Sequence, residues 1–309
     1  MLITVRRSNS HLPATLIEAI RRTVVSVEEQ APEITSIREI GGGSISRSFL
    51  FGHQHGHWFV KINAVPSAAL FAAEADGLRS IAACPILCVP RVLGRGCHDQ
   101  YAFLILEHLN LRPWPEAAHS AIAGRALAEL HRLLGERFGW HCDNFIGSTP
   151  QHNAFASSWP EFFATRRLLP QIELAERHGA SAKLIDRGRG LAERLERLFD
   201  DHQPSPSLLH GDLWYGNAAV DVSGRLALFD PAVYFGDREA DLAMCELFGG
   251  FPEGFFVGYR QAWPLPEGYA RRRTLYNLYH VLNHFNLFGG GYQRQAESMI
   301  DELLAGIGA

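Results

Sequence analysis

The sequence predicts an α+β protein of two lobes: a small antiparallel β-sheet lobe with one inserted helix, and a larger, mainly helical lobe. Two observations lead to this fold class. Short segments rich in Val, Ile, Phe and Trp alternate with Gly-rich or polar turns over residues 36–106, which is typical of antiparallel strands. Beyond residue 110, apolar residues recur at helical spacing. We therefore expect a β-rich lobe at 1–106, a connector at 107–110 and a helical lobe at 111–309.

The first lobe is predicted to contain five strands, with a helix between the third and the fourth. This helix follows Pro66, because the segment after that proline is rich in Ala, Leu and Glu, which favour helix. A separate helix is predicted before the strands, at Ala14–Val27. The predicted strands and inserted helix are, in chain order, Ser36–Ile40, Ser46–Phe51, His57–Ile62, the helix Ser67–Ala83, Arg91–Gly94 and Tyr101–Leu106.

The second lobe is predicted to be helical, with a strand and a hairpin in its middle. The strand follows a Pro-rich segment at 203–206, and the turn Ser223-Gly224 predicts the hairpin. No internal repeat and no low-complexity segment is present in the sequence. The predicted elements are the helices Ala117–Leu134, Trp159–Ala175 and Ala180–Phe199, the strands Ser207–His210, Ala218–Val222 and Arg225–Phe229, and a mostly helical segment Ala240–Ile307.

Composition restricts the functional classes. The chain has 309 residues, of which 47% are hydrophobic and 20% charged, and this ordinary globular balance excludes disorder and fibrous repeats. Lys and Arg total 29 against 33 Asp and Glu, for a formal net charge of −4, so no basic surface for nucleic acid or an anionic membrane is expected. No apolar run approaches the roughly eighteen residues of a membrane span.

Cysteine and lysine usage add two expectations. The five cysteines are odd in number and form no Cys-x-x-Cys pair, which predicts reduced thiols and a cytoplasmic location. Lys61 and Lys183 are the only lysines, so arginine carries nearly all of the positive charge. A monomer is favoured.

The strongest chemical signal is the segment 210–217, His-Gly-Asp-Leu-Trp-Tyr-Gly-Asn, followed by Asp230 after the predicted hairpin. Phosphoryl transfer needs a carboxylate that orients the attacking hydroxyl and oxygen ligands for Mg²⁺. Asp212 lies in a Gly-containing turn that suits the first role, while Asn217 and Asp230 supply an amide oxygen and a carboxylate. The structural alternative is an Asp-Asn turn followed by an Asp that caps a loop. The combined pattern favours the chemical interpretation.

The first lobe contains matching features for a nucleotide. Residues 41–44, Gly-Gly-Gly-Ser, lie between two predicted strands, where Gly41, Gly42, Gly43 and Ser44 could bring backbone N–H groups to phosphates. Lys61 lies in an apolar strand and offers a compact positive charge, although an edge strand also uses lysine to prevent aggregation. Glu74, on the following helix, is the expected ion-pair partner, although glutamates are common on exposed helix faces.

The connector and one further acidic residue allow two more predictions. Glu107, His108 and Leu109 lie where the lobes join, and a connector backbone can offer the donor and the acceptor that an adenine edge requires; the alternative is a simple linker. Asp241 precedes an apolar helical run, so it is interpreted as a helix N-cap and not as part of the active site.

The order of these features resembles the small-molecule phosphotransferase branch of the protein-kinase-like fold, and the detailed motifs are similar to those of the fructosamine (ketosamine) kinases. The resemblance extends from about Ile37 to Tyr292. It rests on segments 41–43, 138–153 and 275–289, on His-Gly-Asp-Leu-Trp-x-Gly-Asn at 210–217, and on the run that begins Asp-Pro-Ala at 230–232. The tryptophan after His-Gly-Asp-Leu and the Asp-Pro-Ala are the discriminating features.

The resemblance implies an ATP- and Mg²⁺-dependent kinase that phosphorylates the sugar 3-hydroxyl of a ketosamine, free or protein-bound, in deglycation repair. It implies that Asp212 accepts the proton, that Asn217 and Asp230 hold Mg²⁺, and that Lys61 with Glu74 positions the phosphates. Trp214 is then expected to face the sugar, although core packing is its structural alternative. Some relatives carry Cys in the Gly-rich loop where this chain has Ser44, which leaves a redox switch there in doubt.

Two alternatives remain open at this stage. One is a kinase of another small hydroxylated amine, such as an aminoglycoside or choline, which would share the acidic and amide residues but not the tryptophan and the Asp-Pro-Ala. The other is a nucleotide-binding pseudokinase, which should have lost at least one of Lys61, Asp212, Asn217 or Asp230. All four are present.

Overall fold

The computed structural model describes residues 12–25, 32–41, 46–114 and 117–308, with the side chains of 117–119 left out. It has the predicted α+β architecture: a five-stranded antiparallel sheet in the first lobe and a mainly helical second lobe. None of the helices in these ranges is long and apolar enough to cross a membrane. All five cysteines are free thiols, of which Cys97 and Cys142 are exposed.

All five predicted strands of the first lobe are present, and they form one sheet of order β1-β2-β3-β5-β4. The inserted helix is also present, with slightly different ends from the predicted ones. The elements of this lobe are α1 (Ala14–Val25), β1 (Ile34–Ile40), β2 (Arg47–His53), β3 (Gly56–Ala64), α2 (Ala68–Ile81), β4 (Val92–His98) and β5 (Tyr101–Glu107).

The sheet lies between two helices because alternate residues of its central strands are apolar on both faces. On β5, Phe103 and Ile105 belong to the cluster that packs against α1, whereas Ala102, Leu104 and Leu106 belong to the cluster that packs against α2. Strand side chains alternate between the two faces, so a continuous apolar run predicts burial on both sides. The helix α2 is thereby fixed over one face of the sheet.

The second lobe surrounds a large apolar core built from its helices. The predicted helix at 159–175 contains a wider π-helical turn at Ala164–Leu168, which ends two residues before Pro170, a residue that has no N–H to continue the regular ladder. The helices are α3 (Ala117–His131), α4 (Trp159–Phe163), α5 (Leu169–Arg177), α6 (Ala182–Ala192), α7 (Glu239–Leu247), α8 (Glu253–Ala262), α9 (Tyr269–Phe288) and α10 (Tyr292–Gly306).

Three small sheets position the loops between the lobes. The strand β6 (Leu111–Arg112), directly after the connector, pairs with the predicted hairpin of β10 (Ala218–Asp221) and β11 (Leu226–Leu228). The predicted strand β9 (Ser207–Leu209) pairs with a short strand that the sequence analysis did not predict, β12 (Tyr234–Gly236). A second unpredicted hairpin joins β7 (Asn144–Ile146) and β8 (Thr149–Gln151).

Candidate active site

Lys61 lies at the centre of the first-lobe sheet. Its strand β3 is paired on both sides, with Ser48 of β2 and Leu104 of β5 opposite Lys61, so the edge-strand interpretation is wrong. The side chain is 11% exposed, and its Nζ lies 2.8 Å from a carboxylate oxygen of Glu74 and pairs with Asp230. Lys61 therefore connects α2 to the loop that follows β11, across the junction of the two lobes.

The charges of this cluster depend on one another. Burial lowers the pKa of Lys61, but the carboxylates of Asp230 and Glu74 outweigh it, and the pKa ends above its ordinary range. Burial and the negative charge of Asp230 raise the pKa of Glu74 to about 7, although Lys61 opposes them. The ammonium is therefore retained as a fixed positive charge, shared by two carboxylates.

Backbone geometry brings Asp212 into the cleft. β9 ends at Leu209, and Gly211 then turns the chain with a φ of +82°. A Cβ at this position would lie 2.0 Å from the carbonyl oxygen of Ala232, so only glycine allows the two loops to approach this closely. His210 binds the same neighbouring loop, with Nε2 3.0 Å from the carbonyl oxygen of Phe229. The loop that carries Asp212 thus rests on the loop that carries Asp230.

Asn217 joins the two acidic residues. Its amide Nδ2 donates to the carbonyl oxygen of Asp212 at 2.9 Å and to the Asp212 carboxylate at 3.2 Å, and lies 3.5 Å from the carbonyl oxygen of Asp230. The amide oxygen Oδ1 is the remaining polar atom of this side chain, and it is an acceptor of the kind that a metal ion can use. The three residues that were predicted from separate positions therefore form one cluster.

Asp230 has the properties of a ligand-binding carboxylate. Its backbone has a φ of +57°, which non-glycine residues adopt uncommonly and which Asp tolerates better than most. Its side chain is 46% exposed although it pairs with the buried Lys61. A carboxylate and an amide oxygen are hard donors of the type that Mg²⁺ prefers, so Asp230 and the Oδ1 of Asn217 fit the metal that the sequence analysis expected.

Asp212 is half-buried and acidic charges surround it. Burial, followed by the charges of Asp230 and Asp241, raises the pKa of Asp212 to about 7, while the hydrogen bond from Asn217 opposes this shift. A carboxylate with a pKa close to neutrality is suited to accept a proton from a hydroxyl group, because the driving force for transfer is larger than for an ordinary aspartate.

Asp241 does not have the helix-capping role that was predicted from its position before an apolar helix. It lies within the first turn of α7, whose N-cap is Arg238, so the N-cap interpretation is wrong. Its carboxylate instead accepts backbone hydrogen bonds from His210 N at 2.7 Å and Gly211 N at 2.9 Å, and its Oδ2 lies 3.2 Å from Nε2 of His131. Asp241 therefore holds the backbone of the loop that carries Asp212.

A buried polar chain supports the loop after Asp230. Asn144 donates to the carbonyl oxygen of Val233 at 2.7 Å, and Gln151 donates to Asn144 at 2.8 Å and to the carbonyl oxygen of Ala232 at 3.2 Å. The hydroxyl of Tyr279 donates to Gln151 at 2.7 Å. These residues lie in segments quoted above for their resemblance, but no role was predicted for them. Side-chain amides replace backbone partners that this irregular segment lacks.

The remaining predicted residues surround this cluster to different degrees. Gly41 follows β1 and is exposed, while Gly42, Gly43 and Ser44 lie outside the described residues. Glu107 ends β5, and the connector residues His108 and Leu109 follow it and lead into β6. The backbone N of Glu107 donates to the carbonyl oxygen of Arg91 at 2.9 Å, which fixes the start of the connector.

Trp214 is the large apolar residue next to Asp212. It is 38% exposed, so it is not a core residue. Its ring lies over Gly216, where a Cβ would approach the ring atoms to between 2.2 and 2.6 Å. The glycine thus allows the indole to lie flat beside the loop, with part of its surface open to solvent.

Comparisons with known proteins show what the whole chain is similar to. A family model described as fructosamine kinase matches residues 16–306. A protein from Synechocystis sp., named a probable ketoamine kinase, is 41% identical over 288 residues, covering 93% of this chain and 96% of the relative. The chloroplastic protein-ribulosamine 3-kinase of Arabidopsis thaliana is 37% identical over 294 residues, covering 94% of this chain and 89% of the relative.

The chain also superposes on solved structures over most of its length. A crystal structure of a candidate fructosamine-3-kinase from Haemophilus somnus 129PT superposes with a TM-score of 0.83 at 30% identity, covering 92% of this chain and 96% of that chain. The aminoglycoside phosphotransferase APH(4)-Ia superposes with a TM-score of 0.65 at 16% identity, covering 94% of this chain and all of that chain. At such low identity, the second similarity establishes the fold alone.

Proposed function

Because the chain belongs to the fructosamine kinase family, and is therefore a kinase that uses ATP, we propose that it transfers the γ-phosphate to the sugar 3-hydroxyl of a ketosamine. The observation that supports this most is the cluster in which Asn217 bridges Asp212 and Asp230 while Lys61 pairs with Asp230. Phosphoryl transfer depends mainly on positioning and charge stabilisation, and this cluster offers both at one place between the lobes.

Asp212 is assigned the role of proton acceptor. The hydrogen bond from Asn217 directs its carboxylate, and its pKa of about 7 leaves it ionised in a large fraction of molecules at neutral pH. In this role it orients the substrate hydroxyl toward the phosphorus and takes up the proton as the new O–P bond forms.

Lys61, Asn217 and Asp230 are assigned to the phosphate end of the nucleotide. Bound Mg²⁺ would neutralise negative charge that develops on the phosphate oxygens. The residues that fit this ion are Asp230 and Asn217, through its amide oxygen, while the amide nitrogen of Asn217 donates to Asp212. In this assignment Lys61 binds phosphate oxygens, and Glu74, whose carboxylate lies 2.8 Å from the ammonium, holds the lysine in place.

The other end of the nucleotide is assigned to the edge of the cleft. Glu107, His108 and Leu109 supply connector backbone groups for the adenine, and Gly41 to Ser44 supply backbone N–H groups for the phosphates. These assignments rest on their order in the chain and on the position of the connector between β5 and β6. A cytoplasmic location and a monomeric state remain predictions.

The acceptor class follows from the relatives and from Trp214. Ketoamine and ribulosamine kinases are the named relatives that match almost the whole chain. A partly exposed indole beside Asp212 can pack against the C–H face of a sugar. Phosphorylation at the 3-hydroxyl makes the ketosamine unstable and frees its amine, so the biological role we propose is deglycation repair.

A panel of acceptors tests the proposal. Purified protein is given ATP and Mg²⁺ with fructosyl-lysine, ribulosyl-lysine, an aminoglycoside, choline or no acceptor, and ADP formation is measured. We expect turnover with at least one ketosamine. Turnover only with the aminoglycoside or choline would confirm a kinase activity but reject ketosamines as its acceptors. ATP binding without turnover on any acceptor would favour a pseudokinase.

A further inference from the structure

A second group of chemically active side chains lies at the junction of the lobes, apart from the cluster around Asp212. Asp76 of α2 approaches His141 and Cys142 of the second lobe, and one ligand atom from each lies within 4.8 Å of the others. Oδ2 of Asp76 lies 3.4 Å from Nε2 of His141. A carboxylate, an imidazole and a thiol from both lobes therefore converge on one point.

We propose that Asp76, His141 and Cys142 form a binding site for a divalent metal of the zinc class, which links the two lobes. This proposal does not rest on the proposed function. Imidazole and thiolate ligands select zinc-like ions over Mg²⁺, which prefers oxygen. Three protein ligands with a fourth position open to water are a common zinc arrangement.

The observed separations are close to those of a bound site. Zinc bonds of about 2.0 to 2.3 Å in a tetrahedron place the donor atoms about 3.3 to 3.8 Å apart. The Asp76–His141 pair already lies in this range, and the remaining separations are at most 4.8 Å. Cys142 is exposed and the His141 side chain is 59% exposed, so rotation of these side chains can complete the site without moving the core.

The carboxylate is also held in place from outside the group. Nε1 of Trp140, a largely buried residue, donates to Oδ2 of Asp76 at 2.7 Å. Hydrogen bonds from surrounding residues commonly orient the ligands of a metal site. The nearby Asp143 is occupied elsewhere, because its two carboxylate oxygens bind His152 and the backbone N of Asn153. Asp76, and not Asp143, is therefore the carboxylate available to the proposed metal site.

A metal bound at this position would affect the placement of helix α2. Asp76 lies two residues after Glu74 on α2, and Glu74 pairs with Lys61. Gly77 of the same helix packs against Pro231, where a Cβ would lie 2.9 Å from a ring carbon. A metal held by Asp76 and by the second lobe would therefore fix α2, and with it Glu74, to the loop that contains Asp230.

Cobalt supplies a direct probe of the site, because a thiolate bound to Co²⁺ gives a charge-transfer band in the near ultraviolet. The full chain, reduced, free of metal and without nucleotide, is titrated with Co²⁺, and the same titration is made with Cys142→Ser and with Cys97→Ser. Cys97 is the matched control, since it is the other exposed cysteine. Zn²⁺ is then added to displace Co²⁺, and thermal unfolding is recorded with and without Zn²⁺.

We expect a saturable thiolate band in the wild type and in Cys97→Ser, its loss in Cys142→Ser, and a higher unfolding midpoint with Zn²⁺ only where the band is present. Hydrogen-bond partners of metal ligands are themselves worth about ten- to a hundredfold in affinity. His141→Gln should therefore weaken Co²⁺ binding by at least about tenfold. Absence of the band in the wild type, or a band that Cys142→Ser leaves unchanged, would overturn the proposal. Co²⁺ bound by Asn217 and Asp230 gives no thiolate band, so failure here leaves the kinase proposal unaffected.

Discussion

The substitution Asp241→Asn tests how the loop that carries Asp212 is held. In the wild type, the two carboxylate oxygens of Asp241 accept the backbone N–H groups of His210 and Gly211 at 2.7 and 2.9 Å. An asparagine of the same shape has one oxygen and one NH₂ group. One backbone N–H must then face a donor instead of an acceptor, in a site that is closed to water.

The expected loss of stability follows from these contacts. A hydrogen bond to a charged group contributes about 1.5 to 3 kcal/mol, and a buried donor without a partner costs about 1 to 3 kcal/mol. The negative charge opposite His131 is also lost. Together, the weakened hydrogen bond and the buried N–H left without an acceptor predict a fall of about 2 to 5 kcal/mol in the free energy of unfolding. Because Asp212 follows His210 and Gly211, kcat should fall by up to about a hundredfold.

Asp237→Asn is the matched control. Asp237 is equally buried and accepts hydrogen bonds from His202 at 2.7 Å, Tyr276 at 2.6 Å and the backbone N of Glu239 at 3.0 Å, none of which belongs to the Asp212 loop. Urea unfolding measures both stabilities, and kcat is measured where both variants are fully folded. We expect similar losses of stability but a loss of kcat in Asp241→Asn alone. Equal values of kcat in the two variants would refute the positioning role.

Three other substitutions address the cleft. Asp212→Asn should lower kcat by about two orders of magnitude or more. The pKa of Asp212 is raised to about 7 and the ionised form is the active one, so kcat/KM of the wild type should fall as the pH drops below 7. The residual activity of the variant should not show this fall. Lys61→Met should raise the KM for ATP. An unchanged rate at limiting ATP would show that Lys61 does not take part in nucleotide binding. Gly211→Ala, with its Cβ 2.0 Å from the carbonyl oxygen of Ala232, should abolish turnover even in folded protein; near-normal turnover would show that the two loops can separate.

The sequence predicted the first lobe well because its signals are local. The five strands and the inserted helix are distinguished by apolar alternation, Gly-rich turns and helix-favouring composition, and all six elements are present. The order of the strands in the sheet was not predicted, because it depends on pairing between distant segments. Whether β3 lay at an edge depended on which strands paired with it, so the burial of Lys61 and its contact with Asp230 became clear only from the structure.

The residues whose roles were missed act over long distances in the chain. Asp241 binds backbone groups about thirty residues earlier, and Tyr279 reaches Gln151 across 128 positions. Nothing in the sequence near either residue indicates its partner, and an acidic residue before an apolar helix is locally typical of an N-cap. The strands β7, β8 and β12 have three residues each, too few for alternation to be detected.

The position of the transferred phosphate on the sugar distinguishes a ketosamine 3-kinase from a kinase that acts at another hydroxyl. A ketosamine phosphorylated by this protein is examined at low temperature by ¹H–³¹P correlation NMR before it breaks down, and release of the free amine is then followed on warming. We expect a correlation between phosphorus and the proton on carbon 3 of the sugar, and one amine released for each ADP formed. A phosphate on another carbon, or a stable product that retains its amine, would contradict it.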